Sequence, residues 1–251
     1  MIGVNTIKFI RSLRLKKNRL INKKVILEGF RLICESINAG IKIDYIIVIE
    51  NFESDLLNQK QFRHQSIKYC SKNNFRKISD TKNSQGIIAV ADIKKYSNQS
   101  LDVIKNNNLV ILDGIQDPGN LGTIMRTSVW YGVNSIALTQ NTVDPFNLKC
   151  IRSAMGAHFY LNNIIQDSCL NIINYLKNNY QNIYVADMQG ENLHKIKSNG
   201  NWALILGSEA HGINSNFKQF KQITIKKFGQ LESLNVSVAS GILMNHLRNN
   251  S

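Results

Sequence analysis

Three stretches in the second half of this 251-residue chain carry side chains at spacings that could do chemistry. The first, LDGIQDPGNLGTIMRT over 112–127, runs an apolar strand into Gly114, Gly119 and Gly122, with Asn120 and Arg126 following one of the chain's two prolines. The second, ALILGSEAHGI over 203–213, ends a strand in Gly207, Glu209 and Gly212. The third takes Ser233-Leu234-Asn235-Val236-Ser237 into an apolar helix. A further segment, 142–159, sets Lys149 and Arg152 before Ser153-Ala154-Met155-Gly156. The glycine turn at 114–122 could be a plain strand-to-helix connection, a phosphate cradle or something rarer. A dinucleotide fingerprint needs GxGxxG and an acid about 20 residues on; the glycine spacing is wrong, and the next strand ends at Gln140 without an acid. A P-loop needs GK[ST], which is missing. Asp117-Pro118 or Asn120 can start a helix, and Arg126 then falls in its second turn, facing the same loop. Taken singly, each stretch has a bland reading as a cap, a loop glutamate or a basic surface.

The elements that must position these residues alternate strand and helix. From Leu109 onward LVILDGI, GTIMRTSVWYG and NSIALT are followed by SCLNIINYLKNNY, NIYVADM, WALILG, ITI and NVSVASGILMNHL. That order predicts a mostly parallel sheet covered by helices. Upstream, 24–40 has helical spacing in its second half with Gly40 as a stop, and 43–50 and 85–93 read as buried strands around a polar stretch. This is a smaller α/β module. The division expected is 1–95 for that module with its basic amino-terminal arm, 96–108 as a linker and 109–251 as the second domain.

Bulk properties narrow the partners. Lys and Arg number 31 against 17 acids, a net charge of +14, and no acid precedes Glu28. Such an excess favours a polyanion, although a chain rich in Asn, Ile and Lys could carry it through codon bias alone. No apolar run reaches the length needed to span a membrane, and the amino terminus lacks a secretory core. Cys34, Cys70, Cys150 and Cys169 are scattered, as in a reduced, cytoplasmic protein. His64, His158, His194, His211 and His246 show no ligand spacing, and no metal is expected.

Taken together and in this order, the motifs resemble those of the SpoU, or TrmH, family of RNA ribose 2′-O-methyltransferases in the SPOUT superfamily. Asn120-x-Gly122-x-x-x-Arg126-Thr127 matches motif one, Leu206-Gly207-x-Glu209-x-x-Gly212 motif two and Ser233-Leu234-Asn235-Val236-Ser237 motif three. Residues 24 to about 92 resemble, more weakly, the L30e-like RNA-binding domain often fused in front. The resemblance implies a sheet whose carboxyl-terminal segment threads a deep trefoil knot, one of the few exceptions to unknotted topology. It also implies S-adenosylmethionine as cofactor and a homodimer with its site near the subunit interface.

The implied reaction is attack of a ribose 2′-hydroxyl on the cofactor's methyl group, which needs in-line positioning and a route for the proton. Arg126 is the family's catalytic position. A guanidinium has no acceptor, so a phosphate clamp that acidifies the hydroxyl is favoured over a general base. Asn120 would orient the ribose or Arg126, Glu209 would position Arg126 or a neighbouring loop, and Asn235 and Ser233 would shape the cofactor loop. The cofactor is expected at backbone around Leu206, Gly207, Ile225 and Leu234. Lys16, Lys17, Arg19, Lys149 and Arg152 are expected RNA contacts. Two departures from the family pattern stand out: Lys226 follows Ile225, and Leu148 precedes Lys149, where prolines are common. The expected substrate is 23S ribosomal RNA. The alternatives are transfer RNA and a catalytically silent RNA binder of the same fold.

Overall fold

Near-continuous runs of Val, Ile, Leu and Ala build two sheets. The computed structural model describes residues 1–104, 107–209 and 212–250. It forms two units, Met1–Ser97 with Phe146–Phe159, and Asn98–Pro145 with Tyr160–Ser251. Where the sequence suggests an unbroken second domain from 109, the segment Phe146–Phe159 packs with the first unit. Part of the expected linker is core as well: Leu101 and Ile104 are buried in the second unit's apolar cluster. Lys105 and Asn106 of that linker lie outside the described residues.

The first unit opens with helices α1 (Val4–Ser12) and α2 (Lys16–Asn22), then β1 (Lys24–Glu28), α3 (Phe30–Asn38), β2 (Ile43–Ile49), the short α4 (Ser54–Leu57), β3 (Ile67–Cys70), α5 (Lys72–Ile78) and β4 (Ile87–Asp92). Gly40 has φ +76°, so the chain leaves α3 in a conformation that glycine adopts readily. The sheet order is β1-β4-β2-β3, with only β2–β3 parallel. β3 and α5 occupy the stretch whose polar composition hid them. β3 is a four-residue edge strand with two exposed positions, which leaves little apolar alternation to read. Alternate sheet residues Ile26, Ile47, Ile88 and Val90 pack under Ile7, Ile10 and Leu13 of the α1 region and Phe75 and Ile78 of α5.

Across the sheet edge Lys24 Nζ lies 2.8 Å from Asp44 and 2.9 Å from Asp92. Burial alone would raise the Asp92 carboxyl, but the hydrogen bonds from Lys24 and the Lys94 amide, with their charges, hold it below the ordinary value. Burial would likewise lower Lys24, and its two carboxylate partners raise it instead.

The second unit carries β5 (Leu109–Asp113), α6 (Pro118–Trp130), β6 (Ser135–Thr139), β7 (Asn163–Asp167), α8 (Cys169–Asn179), β8 (Asn182–Asn192), β9 (Trp202–Gly207), β10 (Lys221–Thr224) and α9 (Val236–Asn249). The intervening α7 (Leu148–Ala154) belongs to the first unit. All six strands are parallel, in the order β10-β8-β9-β5-β6-β7. Leu109, Ile111, Ala203 and Ile205 point into the cluster under α8. The alternate Val110, Leu112, Leu204 and Leu206 are buried too, so both faces are covered, as a parallel sheet requires. The expected fold class, a mostly parallel sheet covered by helices behind a smaller α/β module, is the one observed. Among the described residues no helix is long and apolar enough to cross a membrane.

One irregularity shapes the carboxyl end of this sheet. β10 pairs β8 through Tyr184 and Val185, then jumps to Glu191 and Asn192, leaving residues 186–190 out of register. At the end of the jump a Cβ on Gly190 would stand 2.5–2.7 Å from backbone atoms of Gln222 and Ile223.

Two outcomes follow from this packing. Gly190→Ala should push β10 off β8 and cost about 1–3 kcal/mol, the usual range for overpacking, read as a lowered thermal midpoint. Asp92, with its folded value below its unfolded one, stabilises above about pH 4 and stops doing so as pH falls through the folded value. Lys24 keeps its contribution until pH rises through its own raised value. Asp92→Asn should therefore flatten the acid limb of a urea-midpoint profile taken between about pH 3 and 7.

Candidate active site

The three sequence motifs converge at the carboxyl ends of the second unit's strands, where open parallel sheets bind ligands. The first connection leaves β5 through Gly114, whose φ is +67°. Its amide donates to the hydroxyls of Thr139 and Thr142, each at 3.1 Å. Asp117 caps α6, its Oδ1 accepting the Asn120 amide at 2.8 Å, with Pro118 in the first turn. Helix α6 therefore starts at Pro118, so Asn120 sits within its first turn and Arg126 is its ninth residue. Had Asn120 been the cap, Arg126 would fall in the second turn as expected; with Asp117 as the cap it falls in the third. At 100° per residue it then points about a third of a revolution away from Asn120.

The second motif closes on itself. Ser208 and Gly212 exchange backbone hydrogen bonds at 3.1 and 2.8 Å. A Cβ on Gly207 would meet the Gly212 carbonyl oxygen at 2.7 Å. Both glycines thus serve the closure: Gly207 gives room, and Gly212 takes φ +66°. His211, inside this loop, lies outside the described residues. The loop is tied down by Asp113, buried at the end of β5, whose Oδ2 accepts the Asn214 amide at 2.7 Å. The sequence reading did not single out Asp113. Its signal was an acid ending an otherwise apolar strand.

Glu209, Asn120 and Asn235 meet. Asn235 caps α9, its Oδ1 accepting the amides of Ser237 at 3.0 Å and Val238 at 3.4 Å and the Ser237 hydroxyl. Its Nδ2 donates to Asn120 Oδ1 at 3.0 Å and to Glu209 Oε1 at 2.8 Å. The same Glu209 oxygen accepts the Val236 amide at 2.8 Å and Asn120 Nδ2 at 3.3 Å. A carboxylate at a helix amino terminus is favoured by the helix dipole. Glu209 therefore ties a loop, a helix start and the glycine turn together. Arg126 is exposed and makes no hydrogen bond or ion pair among the described residues.

The expected cofactor residues border a gap in the sheet. β5 pairs β9 as far as Gly207, whereas β8 pairs β9 only as far as Ile205. One backbone edge of Leu206 and Gly207 is thus left without a strand partner, beside the displaced residues 186–190. The Leu206 side chain is fully buried, so only its backbone is available. Ile225 follows β10 directly, and Ser233 and Leu234 are exposed just before α9. A cavity of about 210 Å³ beside Ile225, also lined by Leu193, His194, Lys226 and His246, includes none of Gly207, Glu209, Ser233 or Leu234. Among the described residues no three His, Cys, Asp or Glu side chains gather as a metal site. Burial raises the thiols of Cys34, Cys70 and Cys169, which disfavours the nucleophilic thiolate.

The expected RNA contacts lie in the first unit and divide. Lys16 and Lys17 are exposed in the first turn of α2, and Lys149 is exposed on α7. Arg152 is half-buried and paired with Asp80 at 2.9 Å. Arg19 is not an RNA contact: it is 3 % exposed, and its guanidinium donates to the carbonyls of Leu13 and Arg14 at 2.8 and 2.7 Å. It fastens the turn between α1 and α2.

Comparison with known proteins agrees with this layout. Residues 107–245 match the SpoU rRNA Methylase family, and residues 5–89 match the MRM3-like substrate binding domain. The 23S rRNA (guanosine(2553)-2′-O)-methyltransferase RlmP of Bacillus subtilis is 30 % identical over 243 residues, 95 % of this chain and 94 % of its own. A TrmH-family protein from Porphyromonas gingivalis superposes with a TM-score of 0.86 at 27 % identity, covering all of both chains. An AdoMet-bound rRNA methyltransferase from Sinorhizobium meliloti shares the fold, with a TM-score of 0.84 at 24 % identity over 99 % of this chain and 97 % of that one.

Asn235 both caps a helix and bridges two loops, and substitution can separate the two roles. Asn235→Ser keeps a cap acceptor and should melt within a few tenths of a kcal/mol of wild type, whereas Asn235→Ala should cost about 1 kcal/mol. Both lose the amide donor, so both should lose methyl transfer at least tenfold. Thermal melts beside a tritiated-methyl assay read the two effects.

Proposed function

The chain belongs to the SpoU rRNA Methylase family, and from that premise we propose that it methylates a ribose 2′-hydroxyl of structured RNA using S-adenosylmethionine. The observation that carries the reading is the junction of Asn120, Glu209 and Asn235, one residue from each motif, beside an unpaired backbone edge at Leu206 and Gly207. That edge fits the cofactor: free backbone N–H and C=O groups read a purine rim and tolerate plain aliphatic side chains around it. Gly207, Ile225, Ser233 and Leu234 would hold it. When bound, S-adenosylmethionine supplies a methyl group on a positively charged sulfur.

The protein's part is positioning. The Glu209 hub fixes the loops on either side of the reacting atoms, and Asn120, able to donate and accept, orients the ribose. Arg126 grips the adjoining phosphate. Its positive charge stabilises the developing alkoxide, and the released proton passes to water. Arg126 stands apart from the hub on α6, and this supports a homodimer. Four residues on, Trp130 shares its face of the helix and is 84 % exposed. Val238 and Ile242 repeat along α9, which packs against α6, and are 52 % and 40 % exposed. A seam between two such faces would cover this apolar strip and enclose the arginine. The trefoil knot belongs to this same reading and is supported by the family membership.

We take 23S ribosomal RNA as the substrate, supported by the relative that aligns with nearly the whole chain, and the cytoplasm as the setting, supported by four separate free thiols. The first unit, with its exposed Lys16, Lys17 and Lys149, is the substrate-binding part.

Mapping ribose methylation across ribosomal and transfer RNA, in cells with and without the gene, tests the reading; loss of a single ribosomal mark is expected, and an unchanged map refutes it. With purified protein, Arg126→Ala should reduce transfer at least a hundredfold while calorimetry finds cofactor affinity within a few-fold. Absence of any heat with S-adenosylmethionine in the wild type would identify a silent RNA binder instead.

A further inference from the structure

Outside the proposed site, the largest unexplained feature is a set of cations on α1 and α5. Ile2 N donates to Tyr69 O at 3.3 Å, which puts the entry to α1 beside the strand end that leads into α5. Arg14 Nη2 donates to Ser79 O at 2.6 Å, which puts the exit of α1 beside the C-cap of α5. The two helices pack together on one sheet face, and these two bonds make them co-directional.

Co-direction fixes where the charges point. On α1, Lys8 and Arg11 each follow an inward-facing residue, Ile7 and Ile10. On α5, Arg76 follows the inward-facing Phe75, and Lys72 lies one turn before Arg76 on the same face. Cations one position after inward residues occupy the same flank of each helix. On parallel neighbours that flank faces the same way, so the rows Lys8–Arg11 and Lys72–Arg76 repeat side by side. All four are exposed and make no ion pair or hydrogen bond among the described residues. No acid occurs on α1, α2 or α5. The acids nearest the C-terminal end of α5 are occupied: Glu28 by Ser79, Thr81 Oγ1 and the Asp80 amide, and Asp80 by Arg152.

Folding alone does not account for this pattern. Like charges three and four residues apart on a helix repel. Lys72, at the first position of α5, opposes the helix dipole, which favours an acid there. Neither cost has a compensating partner among the described residues.

We propose that the paired rows on α1 and α5 are a docking ridge for the phosphodiester backbone of the structured RNA substrate. The proposal rests on the RNA-methylating reading above and names the surface that reading left unassigned. Flexible side chains on two parallel rows suit regularly spaced phosphates and carry no base code, so the ridge would set affinity and orientation, not sequence.

The test uses the full chain and a fluorescein-labelled ribosomal RNA transcript, titrated by anisotropy from about 50 to 200 mM salt. Arg11→Ala/Lys72→Ala/Arg76→Ala should flatten the log–log salt slope by about 2 to 3 and weaken binding at least tenfold near 150 mM. Cofactor affinity should stay at its wild-type value, and the thermal midpoint should hold or rise slightly as the repulsion is relieved. Lys177→Ala, an exposed cation on α8, should change neither slope nor affinity. A triple variant with the wild-type slope overturns the ridge. Failure of the wild-type chain to transfer a methyl group, with its RNA binding intact, sinks the enzymatic reading instead, so the two failures are distinct.

Discussion

A single carboxylate oxygen holds the candidate site together. Glu209 Oε1 accepts from Asn120, Asn235 and the Val236 amide, which come from three stretches of chain. The two bonds from the asparagines are exposed, the one from the Val236 amide is part-buried, and each is individually worth little. Their joint effect is geometric: the amino terminus of α9, the loop after β9 and the first turn of α6 share one anchor. An acid is suited to this place because the helix start offers backbone N–H groups and a positive dipole end. A neutral acceptor would satisfy fewer donors, and a cation would be repelled.

Near that anchor the strands stop pairing at different heights. β5 accompanies β9 to its last residue, while β8 leaves two residues earlier and then slips five residues against β10. In a regular sheet β9, an interior strand, would be paired on both sides to its end. Here one backbone edge of Leu206 and Gly207 is left without a strand partner. Close backbone approach at Gly190, and loop closure over Gly207, are the steric conditions of that arrangement.

Much of the second unit was legible in sequence because a parallel sheet buried on both faces leaves unbroken apolar runs. Five of its six strands, with α6, α8 and α9, fall on segments that the alternation marks; β7, Asn163–Asp167, has only two buried apolar residues among polar ones and was missed. The convergence of the three motifs was legible only through family resemblance, since nothing in the spacing of residues 120, 209 and 235 says that they touch. Local chemistry decided the rest. Asp117, in place of Asn120, won the cap of α6 and so shifted Arg126 by a turn. Arg19 looked like its surface neighbours Lys16 and Lys17, but its fork matches two carbonyls at a tight corner and is buried there. β3 and α5 were hidden by short length and exposed polar positions. Asp113 was passed over because a single acid at a strand end has no period to betray it.

The first unit is not continuous in sequence, and this bears on how the protein is made. Residues 146–159 complete it: Leu148 packs on its core, and Gly156 lies against Leu32, Glu35 and Ser36 of α3. During translation, which adds roughly 5–20 residues each second, the leading ninety-seven residues must wait with an uncovered patch until the later insert emerges. By then β5, α6 and β6 of the other unit are already out of the ribosome. Assembly of the two halves is interleaved in time, and a gene cut at residue 97 would leave the first half without its insert and the second carrying that insert without its partner.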